Sequence, residues 1–259
     1  MNDIIYKVTD SIATITINRP QVYNALNRES KLNLIEFIQK ANQDSSVSVI
    51  LLTSEGKAFC SGQDLNDRTV SAQKEKVDLG QTLETEWNPL VEVMRNSEKI
   101  IIAALNGVCA GAGVSVALAA DFIYAHPSVK FVSGFSKIGL VPDAGSNHAF
   151  VRAMGYRRAL EFFTSNRPMM TDELMKYGLI NMASEDYLQE ASKLANQLKS
   201  MAPISLRTIK KNLRLAEDRD FSYMLSKEIE SQRICGFSED YQEGLKAFFE
   251  KRAPQFQGK

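Results

Sequence analysis

Histidine and cysteine are scarce in this sequence, and neither is clustered. With only two histidines, His126 and His148, a histidine-based metal site is not expected. The three cysteines, Cys60, Cys109 and Cys235, lie far apart and leave at least one without an intrachain partner, which excludes a disulfide framework. Net charge is also lacking. Lys and Arg total 31 and Asp and Glu total 31, so no basic excess draws the chain to nucleic acid. Internal repeats, low-complexity runs and an interdomain linker are absent as well. The opening "MNDIIYKVTD" has no apolar core of the signal-peptide kind, and a cytoplasmic protein without a membrane span is the expectation.

One long uncharged run, Ile100 to Ala120, does reach bilayer-spanning length, with Gly107 and Gly111 at GxxxG spacing. Asn106-Gly107 in its middle is a turn signal. The residues before it are short and β-branched, and those after it are small and alanine-rich. No basic clusters flank the run. A buried strand, a glycine turn and a buried helix account for it better than a membrane helix.

At 259 residues the chain is long for one ordinary domain and short for two. Alternation over Ile4–Val8 and Ile12–Ile17, separated by a polar turn, predicts a β-hairpin. A helix is expected from about Glu29 to Asn42, with Leu32, Ile35, Phe37 and Ile38 as its apolar stripe. Val47–Ser54 reads as a buried strand, "EGKAFCSGQDL" as a glycine-punctuated loop, and Asp67–Gly80 as a polar, mobile connection. Leu83–Met94 has a helical period, Ile100–Leu105 is a strand, a helix follows Gly111, and Phe122–Ala125 is a strand. Beyond Phe131 the pattern is mostly helical. The fold class is α/β, a β/α core over residues 1–195 with a C-terminal helical region over 196–259.

Four features bear on chemistry. Gly62 in "FCSGQDL" permits a bend that turns the following amides toward a ligand, or is an ordinary loop glycine. Gly111-Ala112-Gly113 opens a helix, where N–H groups and the positive helix end converge, suited to a carbonyl oxygen gaining charge. Close helix–strand packing would explain the same glycines. The triplet lacks the spacing of a dinucleotide fingerprint and the lysine of a P-loop. Asp143 stands alone in the apolar, glycine-flanked "GLVPDAGS", and buried acids are costly without a task; helix capping is its plain alternative. The last, "EGLKAFFEKR", is an amphipathic helix with a cationic end.

Taken together and in order, "ITINRPQVYNALN", "KAFCSGQDL", "NGVCAGAGVSVALAADF", "GLVPDAGS" and "SEDYQEGLKAFFEKRAPQF" resemble the crotonase superfamily over nearly the whole chain. The resemblance implies a crotonase-like spiral β/α core and a C-terminal helical region that helps assemble trimers, often paired into hexamers. It implies acyl-coenzyme A thioester substrates, with coenzyme A carried by the substrate and no separate cofactor or metal. Two backbone N–H groups, carried over to Gln63 and Ala112, would polarise the thioester carbonyl and stabilise an enolate. The Ser61–Leu65 loop, with Gly62 and Asp64, would lie near the adenine. Tyr23 and Ala25 would lie near the pantetheine entrance, and Gly111 and Phe135 would also belong to the substrate-binding residues. Lys251, with Arg252, would come from a neighbouring subunit or form a solvated helix end.

The glutamate pair of the superfamily's hydratases falls on Ser115 and Phe135, neither of them acidic. Water activation and proton delivery need such groups. Asp143 remains, where the superfamily's acyl-CoA isomerases carry an acid and its 4-chlorobenzoyl-CoA dehalogenases a nucleophilic aspartate. The wording "CSGQDLNDR", "NPLV" and "FSKIGLVPD" is similar to bacterial ring-epoxide phenylacetyl-CoA isomerases. An isomerase in which Asp143 shuttles a proton within a frame of Leu140, Val141 and Phe135 is the leading expectation. Another crotonase reaction, or a non-catalytic acyl-CoA-binding subunit, stays open.

Overall fold

A computed structural model of the protein describes residues 2–67 and 78–259. Most of the polar connection read between Asp67 and Gly80 lies outside the described residues. The chain opens with a hairpin of β1 (Ile4–Thr9) and β2 (Ile12–Ile17), paired antiparallel from Ile4↔Ile17 to Thr9↔Ile12. Asp10 and Ser11 both have positive φ, 51° and 61°, the backbone twist that a two-residue hairpin turn needs.

The helix α1 (Arg28–Gln43) is capped by Asn27, whose side chain accepts from the Ser30 N–H. Its inward stripe is Lys31, Leu34, Ile38 and Ala41, spaced three and four apart. This corrects the expected stripe: Leu32 is 44% exposed, and a lysine occupies an apolar slot. After β3 (Val49–Ser54) and β4 (Ala58–Cys60) come α2 (Leu79–Thr82), a π-helical turn over Leu83–Trp87, and α3 (Asn88–Arg95). Then follow β5 (Ile100–Leu105), β6 (Val108–Ala110), α4 (Ala112–Ala119), β7 (Phe122–Ala125) and β8 (Lys130–Val132).

Strand partners alternate between two sheets. The six-stranded sheet has the order β1-β2-β3-β5-β7-β10, with every pair after the hairpin parallel, where β10 is Met182–Ala183. The second sheet is β4-β6-β8-β9, closed by β9 (Met169–Met170), antiparallel to β8. Each of the couples β3/β4, β5/β6 and β7/β8 therefore gives one strand to each sheet before the chain passes on. Repetition of that step is a spiral. The three-residue strands of the second sheet lie where a loop, a glycine turn and helices were expected. A strand that short has no measurable period of its own and exists through its neighbours.

The uncharged run is thus β5, a turn, β6 and α4, and no described helix is long and apolar enough to cross a membrane. Most of α4 is buried, which explains why it shows no polar face. The remaining helices are α5 (Ser146–Met154), α6 (Tyr156–Ser165), α7 (Thr171–Lys176), α8 (Tyr187–Leu198), α9 (Pro203–Ala216), α10 (Phe221–Gly236) and α11 (Glu239–Glu250). Through Ala191 and Ala195, α8 covers the face of the large sheet formed by Val49, Leu51, Ile100, Ile102 and Ala104. Helix α9 is tied down by charge: Lys210 Nζ lies 2.8 Å and Arg214 Nη2 3.1 Å from the Asp121 carboxylate, which also accepts the Ile101 N–H. Further out, Ile209, Leu213, Phe248 and Phe249 are all more than half exposed.

Candidate active site

The site begins where β4 ends. The Leu26 N–H donates to the Gly62 carbonyl over 2.8 Å, and the Asp64 N–H donates to the Leu26 carbonyl over 3.0 Å. In such a parallel bridge the flanking residues face Leu26, so the N–H of Gln63 between them points to the opposite side. The Ser61 N–H extends the ladder to the Tyr23 carbonyl. Segments 23–26 and 61–64 therefore form one unit. Tyr23 is exposed, Ala25 and Asp64 are buried, and Leu65 is exposed.

Asp64 is turned inward, its carboxylate 3.0 Å from Arg19 Nη1 and accepting the Asn66 N–H. Arg19 also pairs with Asp3 and donates to the Ala25 carbonyl. What this loop presents outward is accordingly backbone, with Leu65 beside it.

Helix α4 opens beside this loop. Gly111, at φ 52°, is its N-cap, with no side chain satisfying the first amides, so Ala112 enters the helix as one of the N–H groups without an intrahelical acceptor. Close approach fixes the two loops together. A side chain at Gly62 would start 3.3 Å from the Ala112 nitrogen, and one at Gly113 would start 2.1 Å from the Cys60 carbonyl oxygen. Only glycine fits at either place. Cys60 itself is buried, and burial pushes its thiol up to about 12, so it is no nucleophile at neutral pH.

Ser115, one helical turn beyond Ala112, lies on the same face of α4. It is buried, and its hydroxyl donates to the Asp143 carbonyl over 3.0 Å. The Ser146 N–H and hydroxyl donate to the same carbonyl. Asp143 is followed by two residues of positive φ, Ala144 at 47° and Gly145 at 85°. Gly145, not Asp143, is the N-cap of α5, and no side chain caps that helix. Phe135 is buried with its ring tip 3.9 Å from where a Gly111 side chain would begin. Gln63, Ala112, Gly111, Phe135, Ser115 and Asp143 thus converge.

The expected apolar frame around Asp143 is only partly present. Val141 is 75% exposed, and with Leu140 it lines a neighbouring surface pocket of about 270 Å³ bounded by Tyr156 and Leu160. The chain leaves Phe135 through a 3-10 turn at Ser136–Ile138, after which the Leu140 N–H donates back to the Phe135 carbonyl over 2.9 Å. Lys251 stands apart on the far end of α11, exposed and at φ 54°. Its neighbour Arg252 is engaged by Glu243 and Glu250.

The sequence reading missed the polar group behind Gln63. Lys31 Nζ donates to Gln63 Oε1 over 2.9 Å and Trp87 Nε1 donates to the same oxygen over 3.1 Å. Lys31 is also paired with Glu86. The available signals were the single tryptophan and a lysine in phase with a helix's apolar stripe. Among the described residues no group of three or more acidic, histidine or cysteine side chains could hold a metal.

Comparison with known proteins identifies the family. The family described as enoyl-CoA hydratase/isomerase matches residues 7–259. The chain is 37% identical over 261 residues to the 1,2-epoxyphenylacetyl-CoA isomerase of Escherichia coli K12, covering all of both chains. It is 28% identical to the trans-2-decenoyl-[acyl-carrier-protein] isomerase of Streptococcus mutans, over 99% of this chain and 98% of that one. Among solved structures, the enoyl-CoA hydratase of Bacillus anthracis superposes with a TM-score of 0.93 at 27% identity, over the full length of both. With a spiral of paired sheets and a match across nearly its whole length, the chain belongs to the enoyl-CoA hydratase/isomerase family.

Proposed function

We propose that the protein is an acyl-CoA isomerase that works through a thioester enolate, with Asp143 moving the proton. The N–H groups of Gln63 and Ala112 receive the thioester oxygen. As a proton leaves the α-carbon, negative charge collects on that oxygen, and preorganised donors lower the barrier because they need not reorient. The Asp143 carboxylate takes the proton and returns it to another carbon. The outcome is a shifted double bond or, for a ring epoxide, an isomerised ring. Coenzyme A arrives with the substrate, its adenine against Ser61–Leu65 and its pantetheine arm past Tyr23 and Ala25. Lys251 serves the phosphates of a neighbouring subunit in a trimer or a dimer of trimers.

The observation that carries the proposal is the Ser115–Asp143 hydrogen bond. It sets the acid-bearing turn one helical turn from the Ala112 donor, while Ser115 and Phe135 supply no carboxylate for hydration. The similarity to the Escherichia coli 1,2-epoxyphenylacetyl-CoA isomerase supports an aromatic ring-epoxide substrate. The test is incubation with 1,2-epoxyphenylacetyl-CoA and, separately, with a 3-enoyl-CoA, following mass and absorbance. Isomerisation at unchanged mass supports the proposal. A product heavier by one water from an enoyl-CoA, with no isomer, replaces it with hydration.

A further inference from the structure

A lysine on the inward stripe of α1 is the least expected core residue of this protein. Lys31 is completely buried, and its ammonium group is held by specific contacts. Its ammonium group pairs with Glu86, donates to Gln63 Oε1, and lies 4.8 Å from the centre of the Trp87 ring. Glu86 and Trp87 are neighbours in the π-helical turn Leu83–Trp87, a helix distortion common at functional sites. An apolar group of similar volume would be at least as stable in such a place. The cluster therefore calls for an explanation other than stability.

Its geometry supplies one. Gln63 Oε1 accepts from both Lys31 and Trp87, and Nε2 of the same amide donates to the Asp64 carbonyl over 3.1 Å. Both ends of the side-chain amide are anchored, so the Gln63 side chain cannot rotate. On the backbone side Leu26 holds the residues before and after it. Gly62 precedes with φ 94°, a freely adjustable residue that would otherwise let the peptide swing. The Gln63 N–H is thus clamped from both sides, by a backbone ladder and by a buried cation.

We infer that Lys31, acting through the Gln63 side chain with Trp87 as second donor, is a positioning residue for the oxyanion site. This rests on the proposed role of the Gln63 N–H. Preorganised donors lose most of their value when they must reorient during the reaction, so the clamp acts on turnover more than on binding.

The experiment uses phenylacetyl-CoA labelled with ¹³C at the thioester carbonyl, bound to the full-length protein and read by infrared difference spectroscopy. In the wild-type protein the carbonyl band moves to lower wavenumber. In Gln63→Leu, which keeps the backbone N–H and leaves the Lys31–Glu86 pair, that shift falls by about half or more. Turnover on 1,2-epoxyphenylacetyl-CoA drops on the order of tenfold to a hundredfold while KM changes little. Lys31→Met combined with Glu86→Gln, which strands no charge, gives the same pattern. Full carbonyl shift and turnover in a Gln63→Leu protein of wild-type melting temperature would overturn the inference. A wild-type protein that binds the probe without any shift overturns the oxyanion role itself, and the positioning role with it.

Discussion

Ser115 and Asp143 are joined by a 3.0 Å hydrogen bond from a buried hydroxyl to a main-chain carbonyl. The contact crosses from the helix that opens with the Ala112 donor to the turn that bears the carboxylate. It holds the two parts of the proposed chemistry at one distance. The acceptor is the Asp143 backbone, so the tether fixes the main chain of the turn.

Asp143→Asn should lower isomerisation by on the order of a hundredfold to ten-thousandfold, the usual contribution of a general acid/base. Its melting temperature and acyl-CoA affinity should stay near wild type, since Asp143 does not cap α5. Steady-state kinetics and calorimetric titration decide this, and near-normal turnover would refute the assignment. Ser115→Ala, which removes only the tether, should cost a smaller factor in turnover, matching a hydrogen bond worth about 1 kcal/mol.

Ala112 is the first residue of its helix, a position where proline is well tolerated. Ala112→Pro should therefore fold while lacking one oxyanion donor, and its turnover should fall on the order of a hundredfold to a thousandfold. Ala112→Gly keeps the N–H and should be far milder. Equal losses in two proteins of equal stability would exclude a backbone donor here.

The Lys210–Asp121 pair should matter to stability rather than catalysis. Asp121→Asn strands a buried ammonium and should cost about 3–5 kcal/mol, much of it recovered when Lys210→Met is added. Burial pushes the Lys210 ammonium below its ordinary value, with Asp121 pulling the other way. Between that lowered value and the unfolded 10.5 the unfolded chain holds a proton that the folded one lacks, so stability from this group rises with pH. Urea melts across the alkaline range up to the unfolded value should show wild type gaining on Lys210→Met. The opposite slope would contradict the burial effect.

Lys251→Glu should raise KM for acyl-CoA more than it lowers turnover, and the effect should shrink with the 3′-dephosphorylated substrate. The reason is its exposed position at the helix end beside the paired Arg252. Unchanged affinity for both substrates in both proteins would leave Lys251 as a solvated helix end.

Ile209, Leu213, Phe248 and Phe249 are exposed at 52%, 67%, 76% and 77%, apolar surface of the kind that subunit contacts cover. A closed homo-oligomer should cover part of it. Light scattering should give a trimer or hexamer, and dilution should lower activity together with assembly. A fully active monomer at assay concentration would remove both expectations.

Much of this protein was legible in the sequence because it is local. The hairpin, α1, β5, β7 and the α4 start follow from period, turn chemistry and glycine, and Gly62 and Gly111-Ala112-Gly113 marked the two loops that meet. The second sheet was not legible: β4, β6 and β8 are three residues long, and each is a strand only because the neighbouring turn of the spiral pairs with it. The same holds at the site. That Lys31 reaches Gln63 across 32 positions, that Asp64 turns to Arg19, and that Val141 faces solvent are outcomes of packing between segments distant in the chain. Local sequence sets which conformations a segment can take. Only the assembled core, where a buried charge must find its partner and a polar loop its ladder, decides which side chains meet.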